Sequence, residues 1–320
     1  MSVLEPNSSA SGRHVVSVSQ FDRDRLERLY QVAGVCERIA AGEAVSRALA
    51  GRLLINLFFE PSTRTRLSFG SAFLRLGGMV ESTVDESFSS MAKGETLEDT
   101  IRVIDGYADA IVLRHKEKGA AARAAAVATR PVINAGDGPG EHPTQALLDL
   151  YTVLKERGRI DGLHIAMVGD LLNGRTVHSL SKLLGRFEGV RITFASPSIL
   201  AMPPALLEEL SAAGVSWRTV DSVDRAVGEA DVLYVTRLQA ERFADPAAAA
   251  QQIAHFVVSR DLLERAGRSQ DLTILHPLPR VFDLSTDVDS LPGAAYFRQA
   301  HNGVPIRMAL FCDLFGVDPL

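Results

Sequence analysis

Residues Leu53–Phe59, Leu-Leu-Ile-Asn-Leu-Phe-Phe, make an almost unbroken apolar run that gives way within a few residues to a helical pattern. A strand that is apolar at nearly every position cannot keep one face in water, so it needs cover on both sides. The chain repeats this device. Ala110–Leu113, Val132–Ala135, His164–Val168, Arg191–Ala195, Asp231–Val235 and Leu272–Leu275 read as further buried strands. Between them lie helical patterns: Phe21–Ala41, with Leu26, Leu29, Val32, Ala33 and Cys36 on one stripe; Thr63–Leu76, stopped by Gly77-Gly78; Pro143–Arg157; Thr176–Leu184; and Pro204–Ala213. Strand and helix in alternation imply parallel sheets with helices on both faces. A chain of 320 residues is long enough for two domains at roughly 150 residues each. The expectation is an α/β protein of two doubly wound parallel-sheet domains of similar size, with the active site in the crevice between them. The first domain is placed at 1–150 and the second at 151–295. A last helix, Gln299–Phe315, follows all the strands, and the segment 296–320 is expected to pack back on the first domain.

Composition narrows the function classes. Apolar residues make up 46% and charged residues 23% of the chain, which suits folded cores in water. The net charge is -5 and no basic block stands out, so a nucleic-acid groove has no support. An acidic balance still allows anionic substrates, because a few focused arginines set the local field. Cys36 and Cys312 belong to no C-x-x-C pair, so they read as reduced thiols without a zinc or redox motif. The Ser-rich start, Met1–Arg13, lacks the apolar core of a signal peptide. No apolar run approaches the ~20 residues that span a bilayer. The expected location is the cytoplasm, with no membrane association.

The most informative stretch is Phe58-Phe59-Glu60-Pro61-Ser62-Thr63-Arg64-Thr65-Arg66. Pro61 ends the strand and Ser62 is placed as a helix N-cap. The first turn of a helix exposes unpaired N–H groups at the positive end of the dipole and normally attracts acidic residues. Here it holds Arg64, Arg66 and the hydroxyls of Ser62, Thr63 and Thr65. That arrangement makes sense if an external dianion such as phosphate completes it. A position at the C-terminal end of a buried parallel strand fits, because ligands of open α/β sheets sit there.

Ser62-Thr63-Arg64-Thr65-Arg66 is similar to the phosphate-binding motif shared by carbamoyltransferases. His142-Pro143-Thr144-Gln145 resembles a second element of that family, and Arg114-His115, taken to follow the Ala110 strand, a third. The similarity runs from about His14 to the C-terminus, so the chain resembles the aspartate/ornithine carbamoyltransferase family. The resemblance implies transfer of a carbamoyl group from carbamoyl phosphate to an amino acid, early in pyrimidine synthesis when the acceptor is L-aspartate. It makes the first domain the carbamoyl phosphate-binding one and the second the aspartate-binding one. It implies that Ser62, Thr63, Arg64 and Thr65 hold the phosphate and that Arg114, His142 and Thr65 surround the carbonyl oxygen. Gln145 and the carbonyls of Leu278 and Pro279 would receive the carbamoyl NH2. The loop His276-Pro277-Leu278-Pro279-Arg280 suits that role, since proline removes backbone donors and leaves acceptors. No metal, cofactor or covalent nucleophile is called for.

For the acceptor, Gly174-Arg175-Thr176 and Thr236-Arg237-Leu238-Gln239 each follow a buried strand. Arginine is the natural bidentate partner of a carboxylate, so a dicarboxylate suits two of them. By resemblance Arg175 takes the α-carboxylate of L-aspartate, and Arg237 with Gln239 the side-chain carboxylate. An ornithine enzyme would be expected to carry His-Cys-Leu-Pro where this chain has His276-Pro277-Leu278-Pro279. Leu172-Asn173 stands where some relatives have a basic residue. Glu60 and Arg242 match positions that bridge the two domains in this family.

Ser90–Lys93 spells S-x-x-K, but the S-D-N and K-T-G partners of penicillin-binding enzymes are missing. The resemblance instead makes 89–96 a loop that carries Ser89 and Lys93 into a neighbouring subunit's active site, and so implies a homotrimer with shared sites. Regulatory or dihydroorotase subunits are left open. A nucleotide enzyme is disfavoured: Val168-Gly169-Asp170 and Gly136–Gly140 complete neither G-x-G-x-x-G nor a P-loop.

Overall fold

The computed structural model describes residues 13–84, 94–237 and 256–320. The chain divides into two units. One comprises Met1–Leu147 and Asn302–Leu320, the other Leu148–His301.

In the first unit the helix α1 (Arg23–Ala40) precedes a sheet of β1 (Leu53–Phe58), β2 (Met79–Val84), β3 (Ala110–His115) and β4 (Val132–Asp137), with α2 (Thr63–Arg75), α3 (Leu97–Asp105) and α4 (Ala120–Val127) between the strands. The strand order is β2-β1-β3-β4 and every pairing is parallel. All residues of β3 and β4 are buried, which is what their apolar runs require. On one face α3 and α4 close the core, with Ile101, Ala120 and Ala124 against Leu57, Ile111 and Leu113. The small side chains of α4 let that helix sit close to the sheet. The α1 helix starts at Asp22, whose carboxylate accepts from the Arg25 N–H at 2.8 Å.

The second unit holds a sheet of order β7-β6-β5-β8-β9, again all parallel. It is entered through α5 (Pro143–Arg157). The strands are β5 (His164–Val168), β6 (Arg191–Ala195), β7 (Ser216–Val220), β8 (Val232–Val235) and β9 (Thr273–Leu275). The helices α6 (Arg175–Leu184), α7 (Pro204–Ala212), α8 (Val223–Val227), α9 (Arg260–Arg265) and α10 (Tyr296–Phe315) complete the described α-helices. Its core joins Ala166, Val168, Leu233, Val235 and Ile274 of the sheet to Ala226, Leu263 and Tyr296 of α8, α9 and α10.

The apolar-run reading misses β2 and β7. Both are edge strands, and the described side chains of Met79–Thr83 and Ser216–Val220 are largely exposed or half-buried. An edge strand needs no apolar run to form its ladder. A second correction concerns Arg114 and His115, expected after the strand. They are its last two residues, with Arg114 opposite Phe58 and His115 opposite Asp137. Main-chain pairing continued past the point where apolar side chains stopped.

The end of α10 belongs to the first unit. Phe311 packs edge-on against Phe73 at 4.9 Å and Phe69 at 6.0 Å, and the Arg25 guanidinium donates to Asp313 at 2.6 Å. Phe311 is fully buried. Phe311→Ala should lower the unfolding free energy by about 3–5 kcal/mol, read from urea denaturation of the purified protein.

Candidate active site

The end of β1 leads into α2 through Glu60, Pro61 and Ser62. Ser62 has the extended backbone of an N-cap (φ -160, ψ 98), but its side chain caps no N–H. Its hydroxyl donates instead to Thr65 Oγ1 at 3.0 Å. This corrects the expected cap: the position holds, the capping bond does not form. The first turn of α2 has neither a side-chain cap nor an acidic residue. Its N–H groups and dipole end therefore stay available to an anion. Arg64 is exposed, and among the described residues it makes no hydrogen bond or ion pair. Partial burial without a compensating carboxylate holds its guanidinium below the ordinary arginine value, though an arginine remains cationic. Thr63 is exposed and Thr65 buried.

Beside this turn, the pairing of β3 with β1 sets Arg114 opposite Phe58. Arg114 is 7% exposed and donates to the Ala135 carbonyl at 2.9 Å and to Glu60 at 2.6 Å. Glu60, assigned by resemblance to a bridge with Arg242, is thus engaged with Arg114 inside the first unit. Arg242 lies outside the described residues, as do Ser89, Lys93 and Gln239.

The next strand, β4, ends in a loop that sequence reading left without structure. Asp137 accepts from the N–H groups of Glu141 and Gly119, each at 2.8 Å, and Asn134 Oδ1 accepts from Gly136 N–H at 2.8 Å. These bonds set where His142 stands, 4% exposed at the start of α5. Its carbonyl accepts from Gln145 N–H at 3.0 Å, and Pro143 occupies the first helical position, where a missing N–H does no harm. Gln145 is half-buried in the first turn. So β1, β3 and β4, adjacent in the sheet, each deliver candidate residues at their C-terminal ends.

The second unit repeats the plan at the ends of β5, β8 and β9, also adjacent. After β5, the buried Asp170 accepts from Asn173 N–H at 2.9 Å and shapes the turn that starts α6 with Arg175, half-buried. After β8, Thr236 N–H donates to the Val168 carbonyl at 2.8 Å, and Arg237 follows, half-buried. Gly169 lies between these turns with φ +121, and a Cβ there would stand 2.3 Å from the Thr236 carbonyl oxygen. Only glycine allows both that backbone angle and that approach.

After β9, the His276 ring accepts from Leu278 N–H at 2.8 Å and meets Asp283 at 2.5 Å. The first bond assigns the ring proton to the nitrogen facing Asp283. Leu278 has φ +53 and the Leu278–Pro279 peptide is cis. With the Leu278 N–H turned inward and two prolines lacking one, the loop presents carbonyls. Arg280 anchors its far end, donating to Asp289 at 2.7 Å and lying 5.3 Å over Tyr296. Among the described residues no cluster of three or more His, Cys, Asp or Glu is placed to hold a metal ion, and no helix is long and apolar enough to cross a membrane.

The model of the aspartate/ornithine carbamoyltransferase carbamoyl-P binding domain matches residues 13–155, and that of the Asp/Orn binding domain matches 161–314. The chain belongs to the aspartate/ornithine carbamoyltransferase family. A chloroplastic aspartate carbamoyltransferase of Arabidopsis thaliana is 51% identical over 300 residues, covering 92% of this chain and 76% of the relative. The aspartate carbamoyltransferase catalytic subunit of Methanopyrus kandleri is 50% identical, covering 97% and 99%. Among solved structures, aspartate transcarbamoylase from Trypanosoma cruzi in complex with carbamoyl aspartate and phosphate superposes with a TM-score of 0.89 at 42% identity, covering 98% of this chain and 99% of that one.

In this carbamoyltransferase-family chain, Gly169 has a consequence that can be measured. Gly169→Ala must push the Thr236 main chain aside or strain its own backbone. It should lower stability by about 2–3 kcal/mol. Chemical denaturation monitored by the fluorescence of Trp217, which lies in the same unit, reads the change.

Proposed function

We infer that this chain is an aspartate carbamoyltransferase, forming N-carbamoyl-L-aspartate and phosphate from carbamoyl phosphate and L-aspartate. The observation that carries the reading is the start of α2: an uncapped, acid-free helix end with Arg64 exposed beside it and Arg114 on the neighbouring strand. Relatives about half identical to this chain and named aspartate carbamoyltransferase support the choice of acceptor.

The chemistry asks for little equipment. The α-amine of aspartate attacks the carbonyl carbon, forming a C–N bond. The C–O bond to phosphate breaks, and the amine proton leaves with the phosphate. Ser62, Thr63, Arg64 and Thr65 are proposed to hold the phosphate and neutralise it as it departs. Arg114, His142 and Thr65 polarise the carbonyl oxygen, and one such donor is typically worth ~10²–10³ in turnover. Gln145 and the carbonyls of Leu278 and Pro279 receive the carbamoyl NH2. Arg175 takes the α-carboxylate of aspartate, and Arg237 with Gln239 the other. The first unit is thus the carbamoyl phosphate-binding one and the second the aspartate-binding one. Catalysis here is orientation and charge placement.

A phosphate-release assay with aspartate, ornithine and oxamate as rival acceptors tests the reading; turnover should appear with aspartate. Lack of turnover with aspartate would overturn it. Arg237→Ala should raise the KM for aspartate by about tenfold or more, the usual weight of a charged hydrogen bond, with the KM for carbamoyl phosphate within about twofold. Arg64→Ala should raise the KM for carbamoyl phosphate and also cut turnover by ~10²-fold or more, because the departing phosphate loses its counter-charge.

The proposal extends to a homotrimer in which Ser89 and Lys93 serve a neighbour's site. Mixing Lys93→Ala with Arg64→Ala subunits at equal amounts should then restore about one quarter of the wild-type sites, since a site draws one residue from each of two subunits. Mixed trimers without recovered activity would rule out sharing.

A further inference from the structure

Helix α5 carries a carboxylate into the interior of the second unit. Asp149 stands within Ala146–Val153, an otherwise mostly apolar stretch, and has no exposed surface. One of its oxygens accepts from the Tyr234 hydroxyl at 2.8 Å, the other from Gln299 Nε2 at 2.6 Å. Gln299 is 1% exposed and turns its own carbonyl to the His276 N–H at 2.8 Å. The Thr176 hydroxyl lies in hydrogen-bond reach of the Tyr234 phenol, and burial together with Asp149 pushes that phenol well above its usual value, so it stays a donor.

The directions of these bonds depend on one another. A carboxylate that receives two donors acts as acceptor at both oxygens. Gln299 must then turn its NH2 to Asp149, which leaves its carbonyl for the His276 N–H. That main-chain group can only donate, so the chain of bonds cannot reverse.

Each member also sits next to a residue of the proposed substrate chemistry, two beside the arginines assigned to aspartate and one beside the loop assigned to the carbamoyl NH2. Thr176 follows Arg175. Tyr234 lies three residues before Arg237 on β8. His276 begins the loop of Leu278 and Pro279 and bonds Leu278 N–H through its ring. We propose that Asp149 is a positioning residue for aspartate: through Tyr234, Thr176, Gln299 and His276 it locks the start of α6, the end of β8 and the loop after β9 into one register. The proposal rests on the reaction inferred above. A purely structural role explains it less well, because apolar side chains of the same volume would fill this space without the desolvation of a carboxylate.

The test is steady-state kinetics of the full chain with each substrate varied in turn. Tyr234→Phe removes one oxygen atom and keeps the ring. It should raise the KM for aspartate about tenfold, leave the KM for carbamoyl phosphate within about twofold and lower the melting temperature by only a few degrees, the cost of one donor lost to a buried carboxylate. Gln299→Leu should raise the KM for aspartate by a similar factor and, through the loop of Leu278 and Pro279, raise the KM for carbamoyl phosphate as well. The double variant should lose about as much as one single variant, not the product of the two, because each already frees the same carboxylate. Asp149→Asn should retain more activity than Asp149→Ala. A Tyr234→Phe enzyme with an unchanged aspartate KM, or single effects that multiply, overturns the positioning role. A wild-type chain that forms no carbamoylaspartate instead brings down the reaction itself, and the positioning role with it.

Discussion

Helix α2 begins with its charges opposed to its dipole. A cation beside a helix N-terminus is unfavourable by roughly 0.3–1 kcal/mol, and α2 places Arg64 and Arg66 in that first turn with no acid to offset them. The hydroxyl best placed to cap the turn bonds to Thr65 instead. A fold stabilised only by its own contacts would put an aspartate here. What the turn lacks is negative charge and acceptor oxygens, and the phosphate dianion proposed to bind there would supply both. The instability is local and small, so the rest of the unit can carry it, and a bound anion would offset it.

The same constraint explains why chemistry gathers at strand ends throughout. A parallel strand buried on both faces has no side chain to offer along its length. Its C-terminal end is where the chain emerges, and there the loops must be both open to ligand and fixed in place. Buried aspartates do much of the fixing. Asp137 at the end of β4, Asp170 after β5 and Asp283 beyond β9 each accept donors from the loop they serve. Each is 6% exposed or less, so these bonds are shielded from water and hold the loop more firmly than surface pairs would.

This division of labour decides what was legible in the sequence. Central strands were readable because burial on both faces writes itself as a continuous apolar run. The edge strands β2 and β7 were not, because their solvent-facing side chains look like loop. Arg114 was placed in the right region but one step too far along, since the ladder follows main-chain pairing and ignores side-chain polarity. The cationic candidates Arg64, Arg114, Arg175 and Arg237 stood out as residue types unusual after an apolar run. Their supports did not. Asp149 and Asp283 look in sequence like ordinary carboxylates, and only the fold shows that distant donors converge on them. Likewise the partner of Glu60 could not be read from sequence, because β3 brings Arg114 to it across 54 positions.

That last pair shows how a buried cation can be held in place by a counter-charge that is itself partly solvated. Arg114 is nearly buried, and a guanidinium so placed cannot be left without a counter-charge at acceptable energy. Glu60 supplies one, yet the pair is uneven: the arginine side chain is 9% exposed and the glutamate 30%. Separating them returns the more hydrated partner to water, which is the cheaper of the two ways to break the pair. The Ala135 carbonyl holds the guanidinium through its other nitrogen, so Arg114 would keep its place if Glu60 were displaced. A substrate oxygen bound at Arg114, as proposed, would therefore compete with a carboxylate already partly solvated.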